Sequence, residues 1–549
     1  MKFQQFPHAA FLKLFKRWGL LGAILLLSTA LRIWRVGELP VALNRDEAAL
    51  AYNAYLLQST GQDEWQRVWP LGLQSFGDYK LVGYPAFLAG AFSLFGTHEW
   101  VVRLPSVIAG VGVVLLTYVT ALEVFSWGKR QALLSAGLVA LMPVFFFYSR
   151  IAFEANLALG WWLLAFWGLH RRGKAWVTWV GVAALAVSLV TYNSPFLLLP
   201  FLLVSVVFWR GFRQPKLWLA PVLAMLAVWI VIGKSLIVLS AQKSSITIFS
   251  DELLWRESVS YYQQFSGVWR TLIGNRIVFW GRLVVSAYAQ TWGPYFLVER
   301  GGTHPWHQQP GFAHMFWGTW IAGLAGTVVI LRPGLQYLHS LSLGRQKSKK
   351  LLGLNGRESA NVLLLFWLLV SPLPSVITVD APHATRSLFF FWCFAMSAVL
   401  GITQVWRLRM RLLPVQRKVL VLVFFLFVSW ETSRYYFSYF RDFPARSAVL
   451  MEAGYGDLVR QLVHSMPGKP IAVVDTDGFT YILTAWELRL PAQQFFATVQ
   501  RHLPDPIGFR YGYKVSQFRF IASPSDRLPS ESRLLQWNTH RNVWEVLEF

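Results

Sequence analysis

The sequence contains almost no cysteine and little charge. Its 549 residues include one cysteine, Cys393, which lies inside an apolar run. No disulfide framework can therefore form, and any extracytoplasmic part must hold together by packing. Charged side chains make up only 14% of the chain and hydrophobic ones 55%, a composition that excludes an ordinary soluble domain.

Acidic residues are the scarcer charge. The 27 Asp and Glu stand against 51 Lys and Arg, which gives a net charge of +24. Such an excess can indicate nucleic-acid binding, but the basic residues cluster in short loops between apolar runs, so we predict no nucleic-acid partner. The mean hydropathy of +0.42 and the 28 tryptophans are typical of a membrane protein with aromatic belts.

Long apolar runs are what the sequence has in abundance. A hydrocarbon core of about 30 Å needs about 20 helical residues. The first run follows a basic N-terminus and ends without a small-residue cleavage site, so we interpret it as a retained helix rather than a signal peptide. We predict eleven or so membrane spans, at 18–36, 99–125, 131–148, 156–170, 175–192, 195–209, 217–239, 314–331, 360–376, 388–406 and 418–431.

The loops between these spans differ in charge from one side to the other. By the positive-inside rule, the more basic set of loops and the N-terminus should be cytoplasmic. An odd number of spans then places the C-terminal tail outside, together with the loop that follows the first span. We therefore predict a multi-pass protein of a bacterial plasma membrane, with its site and its tail facing outward.

We divide the chain at residue 431. Residues 1–431 form the predicted all-α polytopic membrane domain, with long outer loops at 38–98 and 240–313. Within the first loop, Gly83 to Phe95 is too short to span and is typical of an interfacial helix. Residues 432–549 form a predicted small extracytoplasmic α/β domain. Its strand-like runs are Ile471 to Val474, Phe518 to Ala522 and Val543 to Leu547, and its helix-like runs are Gly456 to His464 and Phe479 to Leu488.

Four outward-facing clusters carry acids and bases in loops that keep them near the membrane surface. Such groups are costly to desolvate there, which makes a function the default hypothesis. Because all four lie on the same side, one composite site is possible. The clusters are Asp46-Glu47, Asp78-Tyr79-Lys80, Arg150 to Glu154, and Asp380 to Arg386.

The chemistry that fits these residues is glycosyl transfer from a polyprenyl-phosphate sugar. A phosphate leaves readily without an acid, so the site needs cations for the developing charge, and Lys80 and Arg386 would supply them. It also needs a carboxylate to take the acceptor's proton, worth about 10²–10⁴-fold in rate, and Asp46 is our candidate. Glu154 would orient the acceptor or the sugar hydroxyls.

Several motifs occur together and in a specific order. They are Asp46-Glu47 after the first span, Lys80 ahead of Gly83-Tyr84-Pro85, Val-Arg-Leu-Pro-Ser with Arg103, Ser149-Arg150 with Glu154, and Pro382-His383 with Arg386. In these motifs the chain resembles the polytopic C-type (GT-C) glycosyltransferases, in the branch of the protein O-mannosyltransferases and lipid A aminoarabinose transferases.

The resemblance implies that Asp46 is the base, that Lys80 and Arg386 contact the lipid phosphate, and that the anomeric centre is inverted. The second outer loop often ends in Asp in that family, whereas Glu154 is one methylene longer. We predict Asp46 as the catalytic residue, no cofactor and no metal. The partners would be the lipid-linked donor, an extracytoplasmic protein, lipid or glycan acceptor, and membrane lipids. The predicted substrate-binding residues are Glu47, Lys80, Arg150, Glu154, His383 and Arg386.

Structural alternatives remain for these residues. Asp46-Glu47 could cap a helix from Ala48 to Gln58, with Glu47 the better candidate for that role. Lys80 could snorkel, Arg150 could pair with Glu154, and His383 could be a hydrogen-bonded loop residue.

His304 and His307 have a possible metal spacing, but no carboxylate lies nearby in the sequence, so we predict a surface loop. For the whole protein, the alternatives are a transporter or flippase of a lipid-linked glycan and a non-catalytic scaffold.

Overall fold

The computed structural model describes residues 8–76, 78–211, 214–241, 247–342, 356–409, 413–505, 509–524 and 532–548. Most of these residues are helical, and a small mixed sheet lies near the C-terminus. The longer helices are α1 (His8–Ile33), α2 (Arg45–Thr60), α3 (Gly83–Phe95), α4 (Glu99–Glu123), α5 (Lys129–Leu141), α7 (Glu154–His170), α8 (Ala175–Leu189), α9 (Ser194–Arg210), α10 (Leu219–Ala241), α11 (Glu252–Gln263), α13 (Arg276–Trp292), α14 (Trp317–Ser342), α15 (Gly356–Val370), α17 (Leu388–Leu408), α18 (Pro414–Arg441) and α20 (Tyr455–Ser465). Short helices complete the series: α6 (Pro143–Phe147), α12 (Gly267–Leu272), α16 (Leu373–Val376), α19 (Phe443–Leu450), α21 (Thr480–Glu487) and α22 (Ala492–Thr498).

The strands form two sheets. The first is an antiparallel hairpin within the outer loop, in which Leu73 pairs with Lys80. The second has the order β4-β5-β6-β3-β7-β8, with β3 parallel to both β6 and β7 and the other pairs antiparallel. The strands are β1 (Gly72–Ser75), β2 (Asp78–Leu81), β3 (Ile471–Val474), β4 (Gln500–Arg501), β5 (Gly512–Val515), β6 (Phe518–Ile521), β7 (Arg533–Asn538) and β8 (Val543–Glu548).

Every predicted span falls on a helix or on two consecutive helices. Within the described ranges, three helical segments are long and apolar enough to cross a bilayer on their own: Glu99–Glu123, Glu358–Val376 and Thr385–Leu408. The chain is an integral membrane protein, while the number of eleven spans stays a prediction. Two predicted spans are interrupted where proline, which lacks an N–H, begins a new short helix, at Pro143 in α6 and near Pro372 before α16.

The predicted domain boundary at 431 falls inside α18, which continues to Arg441. The Glu431 carboxylate accepts hydrogen bonds from the backbone N–H groups of Trp317, at 2.8 Å, and Gly318, at 3.1 Å. Because these N–H groups open α14, the acid caps that helix and fixes α18 to it.

The loop 38–98 and the C-terminal region share one hydrophobic core, separate from the core of the helical bundle. Polar contacts reinforce it: Tyr52 donates a hydrogen bond to the Leu490 carbonyl at 2.9 Å, and Tyr481 donates to the buried Glu64 carboxylate at 2.6 Å. The strand predictions for β3, β6 and β8 are confirmed, as are the helix predictions for α20 and α21. The tail therefore packs on the outer loop through a continuous apolar interface.

The predicted helix from Gly83 to Phe95 is confirmed as α3, whose Tyr84, Leu88 and Phe92 face inward. Its first residue approaches the end of α8 closely. The Gly83 N–H donates to the Val190 carbonyl at 2.8 Å, and a Cβ on Gly83 would clash with the Thr191 hydroxyl. Only glycine fits this contact, which fixes the end of β2 against the bundle.

Candidate active site

The first turn of α2 presents two adjacent acids to different surroundings. Asn44 is the N-cap, and its side-chain oxygen accepts hydrogen bonds from the N–H groups of Asp46 at 2.9 Å and Glu47 at 3.0 Å. Glu47 completes the capping box by accepting from the Asn44 N–H at 3.2 Å. The capping role considered for the acidic pair thus belongs to Glu47, and the Asp46 carboxylate faces a cavity.

Asp46 forms an ion pair with Lys80 in this cavity. The Lys80 ammonium lies 2.7 Å from Oδ1 of Asp46, and both side chains are mostly buried, with 10% and 20% of their surfaces exposed. Lys80 is carried by β2, whose position depends on the hairpin and on the tight contact at Gly83. Two short elements from the same outer loop therefore bring a carboxylate and an ammonium group together.

Glu47, predicted to bind substrate, does not line this cavity. Its side chain is fully buried, with the Arg103 guanidinium 3.0 Å away and the Ala152 N–H donating to it at 2.8 Å. Arg103 also donates to the carbonyl groups of Val36 and Pro40, both at 2.9 Å. Because a buried charge must be paired and hydrogen-bonded, this network fixes the outer loop to α4 and leaves Glu47 no free face for a substrate.

Arg150, also predicted to bind substrate, has a similar structural role. It is fully buried, donates to the Tyr439 hydroxyl at 3.0 Å, and donates to the carbonyls of Leu31 and Trp34, each at 2.7 Å. These carbonyls lie at and just beyond the C-terminal end of α1, where helical carbonyls lack intrahelical partners. Arg150 therefore closes the end of α1, while Glu154, at the start of α7, lines the cavity.

The loop between α16 and α17 contributes a second acid–base cluster. Asp380 lies 2.5 Å from the Arg386 guanidinium, 3.3 Å from His383 and 3.5 Å from His304. Burial alone would raise the pKa of Asp380, but the hydrogen bond from His304 and the charge of Arg386 outweigh it and hold the pKa well below its usual range. Asp380 is thus a permanent anion that fixes Arg386 at the cavity wall.

Three histidines lie in or beside this loop. His307 is buried and shares a 3.1 Å hydrogen bond with the Tyr148 hydroxyl. Burial and the charge of His304 lower the pKa of His307 to about 3, so it is neutral at ordinary pH. His383 hydrogen-bonds Thr385 at 2.9 Å through its other ring nitrogen.

One atom from each of His304, Asp380 and His383 lies within 4.8 Å of the other two, a grouping that could hold a metal ion. We predicted no metal there because no carboxylate lies near His304 in the sequence, and this reason is wrong. Asp380 is distant in sequence and adjacent in space.

Five predicted site residues line a single cavity of about 290 Å³: Asp46, Lys80, Glu154, His383 and Arg386. An adjoining apolar cleft lies between α7, α9 and α17 and shares Arg386 and Tyr192 with the cavity. Its wall includes Trp162, Leu198 and Phe389. The cavity and the apolar cleft thus share part of their walls, with a guanidinium group where they adjoin.

Several cavity residues were missed from the sequence. Arg45 precedes the acidic pair and was not considered, although it shares the same helix start. Trp306 lies between His304 and His307, in the segment predicted as a surface loop. Phe479 and Phe509, from the C-terminal region, form part of the cavity wall, and no local pattern distinguishes them from ordinary core residues.

Part of the chain is similar to a known protein family. The family described as dolichyl-phosphate-mannose-protein mannosyltransferase matches residues 82–232, a stretch that includes α3, α4 and Glu154. The predicted resemblance to the GT-C glycosyltransferases is confirmed. No curated protein sequence matches the chain.

Solved structures of similar proteins include two enzymes. The apo oligosaccharyltransferase of Archaeoglobus fulgidus is 14% identical, with a TM-score of 0.49 over 86% of this chain and 64% of its own. The apo ArnT of Cupriavidus metallidurans is 13% identical, with a TM-score of 0.44 over 88% of this chain and 85% of its own. The chain therefore spans less than two thirds of the length of the archaeal enzyme.

Proposed function

We propose that the protein is a membrane glycosyltransferase that moves a sugar from a polyprenyl-phosphate donor to a hydroxyl group of an extracytoplasmic acceptor, with inversion. The observation that carries the proposal is the meeting of Asp46, Lys80, Glu154, His383 and Arg386, from separate parts of the sequence, in one cavity. The family match over residues 82–232, whose description names a dolichyl-phosphate sugar, supports the same donor class.

The donor would lie across the junction of the two spaces. Its isoprenoid tail would occupy the apolar cleft beside Trp162 and Phe389, and its phosphate would contact Arg386, which lines both the cleft and the cavity. Apolar burial would hold the tail, and charge-assisted hydrogen bonds would hold the phosphate. Lys80 would turn from Asp46 towards the incoming phosphate, so that donor binding releases the Asp46 carboxylate.

The reaction is then a single displacement. The acceptor oxygen attacks the anomeric carbon while the bond from that carbon to the phosphate oxygen breaks, and Asp46 takes the hydroxyl proton. The polyprenyl phosphate leaves with its negative charge held by Lys80 and Arg386, since preorganised cations stabilise charge as it develops. Attack from the face opposite the phosphate inverts the anomeric centre. Glu154 would orient a sugar hydroxyl and His383 would support the phosphate side.

We also propose that the cavity opens on the outer side of the membrane, as the distribution of basic loops predicts. By the same argument, the chain has a membrane domain and an extracytoplasmic C-terminal domain. Their boundary lies beyond α18 rather than at residue 431.

The test is to incubate the purified protein with a panel of radiolabelled polyprenyl-phosphate sugars and to measure label leaving the carrier. We expect the wild type to release sugar from at least one donor. Asp46→Asn should lower turnover about 10²–10⁴-fold while donor binding persists. Asp457→Asn, whose side chain is 89% exposed on the C-terminal region, is the matched control and should behave as wild type.

Two results would contradict the proposal. Folded wild-type protein that turns over none of the donors would favour the transporter or flippase alternative. Asp46→Asn protein that retains the full rate would remove the carboxylate from the chemistry, because a base of this kind has no substitute in an amide.

A further inference from the structure

Arg45 is a cavity cation that the proposed mechanism does not use. Its guanidinium lies over two aromatic rings, 3.9 Å from the centre of the Phe479 ring and 4.9 Å from that of Trp306. Among the described residues it forms no salt bridge, whereas Lys80 is paired with Asp46 and Arg386 with Asp380. Arg45 is thus a fixed positive charge on the cavity wall without a carboxylate partner in the described part of the chain.

The position of Arg45 separates it from the donor end of the cavity. Arg386 and Tyr192 line both the cavity and the apolar cleft, while Arg45, Phe479 and Phe509 line the cavity alone. In the proposed function the donor tail occupies the apolar cleft, so the phosphate lies beside Arg386. Arg45 lines the cavity away from the cleft residues and directly precedes Asp46, the proposed base, where the acceptor hydroxyl must arrive.

The aromatic stack also prepares Arg45 for a particular ligand. A guanidinium whose faces pack on rings keeps its N–H groups in its own plane, where they form a fork that fits a carboxylate or a phosphate. The C-terminal region holds this arrangement in place, because the Asp475 carboxylate accepts hydrogen bonds from the N–H groups of Gly478, at 2.7 Å, and Thr480, at 2.9 Å, on either side of Phe479.

Resting on the proposed function, we propose that Arg45 determines acceptor specificity: it binds an anionic group, a phosphate or a carboxylate, that the acceptor carries close to the hydroxyl that is glycosylated. A neutral acceptor makes no charge-assisted contact with Arg45 and therefore gains little from this group. An acidic acceptor gains a charge-assisted, bidentate contact that also fixes its hydroxyl beside the base.

The experiment measures transfer from the active labelled donor to three simple acceptors: methyl glucoside, glucose 6-phosphate and glucuronic acid. We expect the wild type to prefer at least one of the two anionic acceptors over the neutral one by about ten- to hundredfold in kcat/KM. Preference for the phosphate or for the carboxylate identifies which group Arg45 receives. The preference should weaken as salt is raised, since the cavity is open to solvent ions.

Variants assign this preference to Arg45. Arg45→Gln should reduce the ratio of anionic to neutral transfer to near one. Arg45→Lys keeps the charge without the fork, so it should retain part of the ratio and serves if the glutamine variant fails to fold. Arg35→Gln, which removes an exposed arginine paired with Glu38, is the matched control and should keep the full ratio.

The failures are distinguishable. If the wild type turns over no donor, the proposed function is wrong. If it turns over donor but transfers to no anionic acceptor, or shows no anionic preference, or keeps the preference in both Arg45 variants, this inference is wrong and the proposed function stands. If both variants slow transfer to all three acceptors equally, Arg45 acts on the donor, which also contradicts the inference.

Discussion

Asp46 and Glu47 are neighbours in the sequence and lie in two contrasting regions of the molecule. Asp46 faces a cavity and pairs with one lysine, whereas Glu47 is fully buried with Arg103 and the Ala152 N–H. Successive helical residues point about 100° apart, so one helix start can supply a reactive group to one side and a structural anchor to the other. Residue type and sequence position alone do not assign these roles, but the direction of each side chain does.

We expect the largest effect from removing the buried charge of Glu47. Glu47→Gln leaves Arg103 without its anion, and breaking a buried ion pair costs about 3–5 kcal/mol. We expect a clear loss of thermal stability in detergent, measured by unfolding followed with tryptophan fluorescence. Asp46→Asn should lose less stability, because the Asp46–Lys80 pair is partly exposed, and should lose turnover. A Glu47→Gln protein that is as stable as wild type and only inactive would place Glu47 in the chemistry after all.

A smaller loss of stability should show that Arg150 has a structural role and does not bind the donor. Tyr439→Phe removes the hydroxyl that accepts from Arg150 at 3.0 Å, and a hydrogen bond to a charged group is worth about 1.5–3 kcal/mol. We expect lower thermal stability and an unchanged KM for the donor, because Arg150 points to α1 and not to the cavity. A raised donor KM at unchanged stability would return Arg150 to the binding site.

The stability of the protein should depend on pH through the buried side chain of His307. The pKa of His307 is about 3 in the folded protein and about 6.5 when unfolded. The unfolded chain therefore binds more protons between these values. The contribution of His307 to the free energy of unfolding is fully present above pH 6.5 and is lost as the pH is lowered towards 3. His307→Gln should lose less thermal stability than wild type across this window. Identical losses in both proteins would mean that His307 does not carry the effect.

The smallest effect should come from a chelator. Arg386 already neutralises Asp380 at 2.5 Å, so the cluster with His304 and His383 is balanced without a metal ion. We expect dialysis against EDTA to leave donor turnover unchanged. A loss of turnover that is restored by added zinc or manganese would assign a metal to His304, Asp380 and His383.

These two regions also show what the sequence could predict. Apolar runs located the helices, because a bilayer imposes a length and composition that a local window detects. The placement of Asp46, Lys80 and Arg386 around one cavity could be predicted because motif order and loop side are local properties as well. The capping function of Glu47 was considered correctly for the same reason.

The remaining parts of the site depend on distant contacts. Arg150 resembles a loop cation in sequence, and only the fold reveals that the end of α1 needs its N–H groups. Asp380 and His304 come from separate segments, and Phe479 reaches the cavity because the tail and the outer loop share a core. No periodicity in the sequence encodes such an approach, so these contacts could not be predicted before the helices were assembled.

The shared core of the outer loop and the tail imposes an order on biogenesis. Asp46 emerges from the ribosome early, and Phe509, on the far wall of the same cavity, follows about 460 residues later. At translation rates of about 5–20 residues per second, that interval is roughly half a minute to a minute and a half. During this time the apolar faces of α2 and α3 lack the C-terminal residues that they pack against, so the cavity wall is complete only after the C-terminal region has been made.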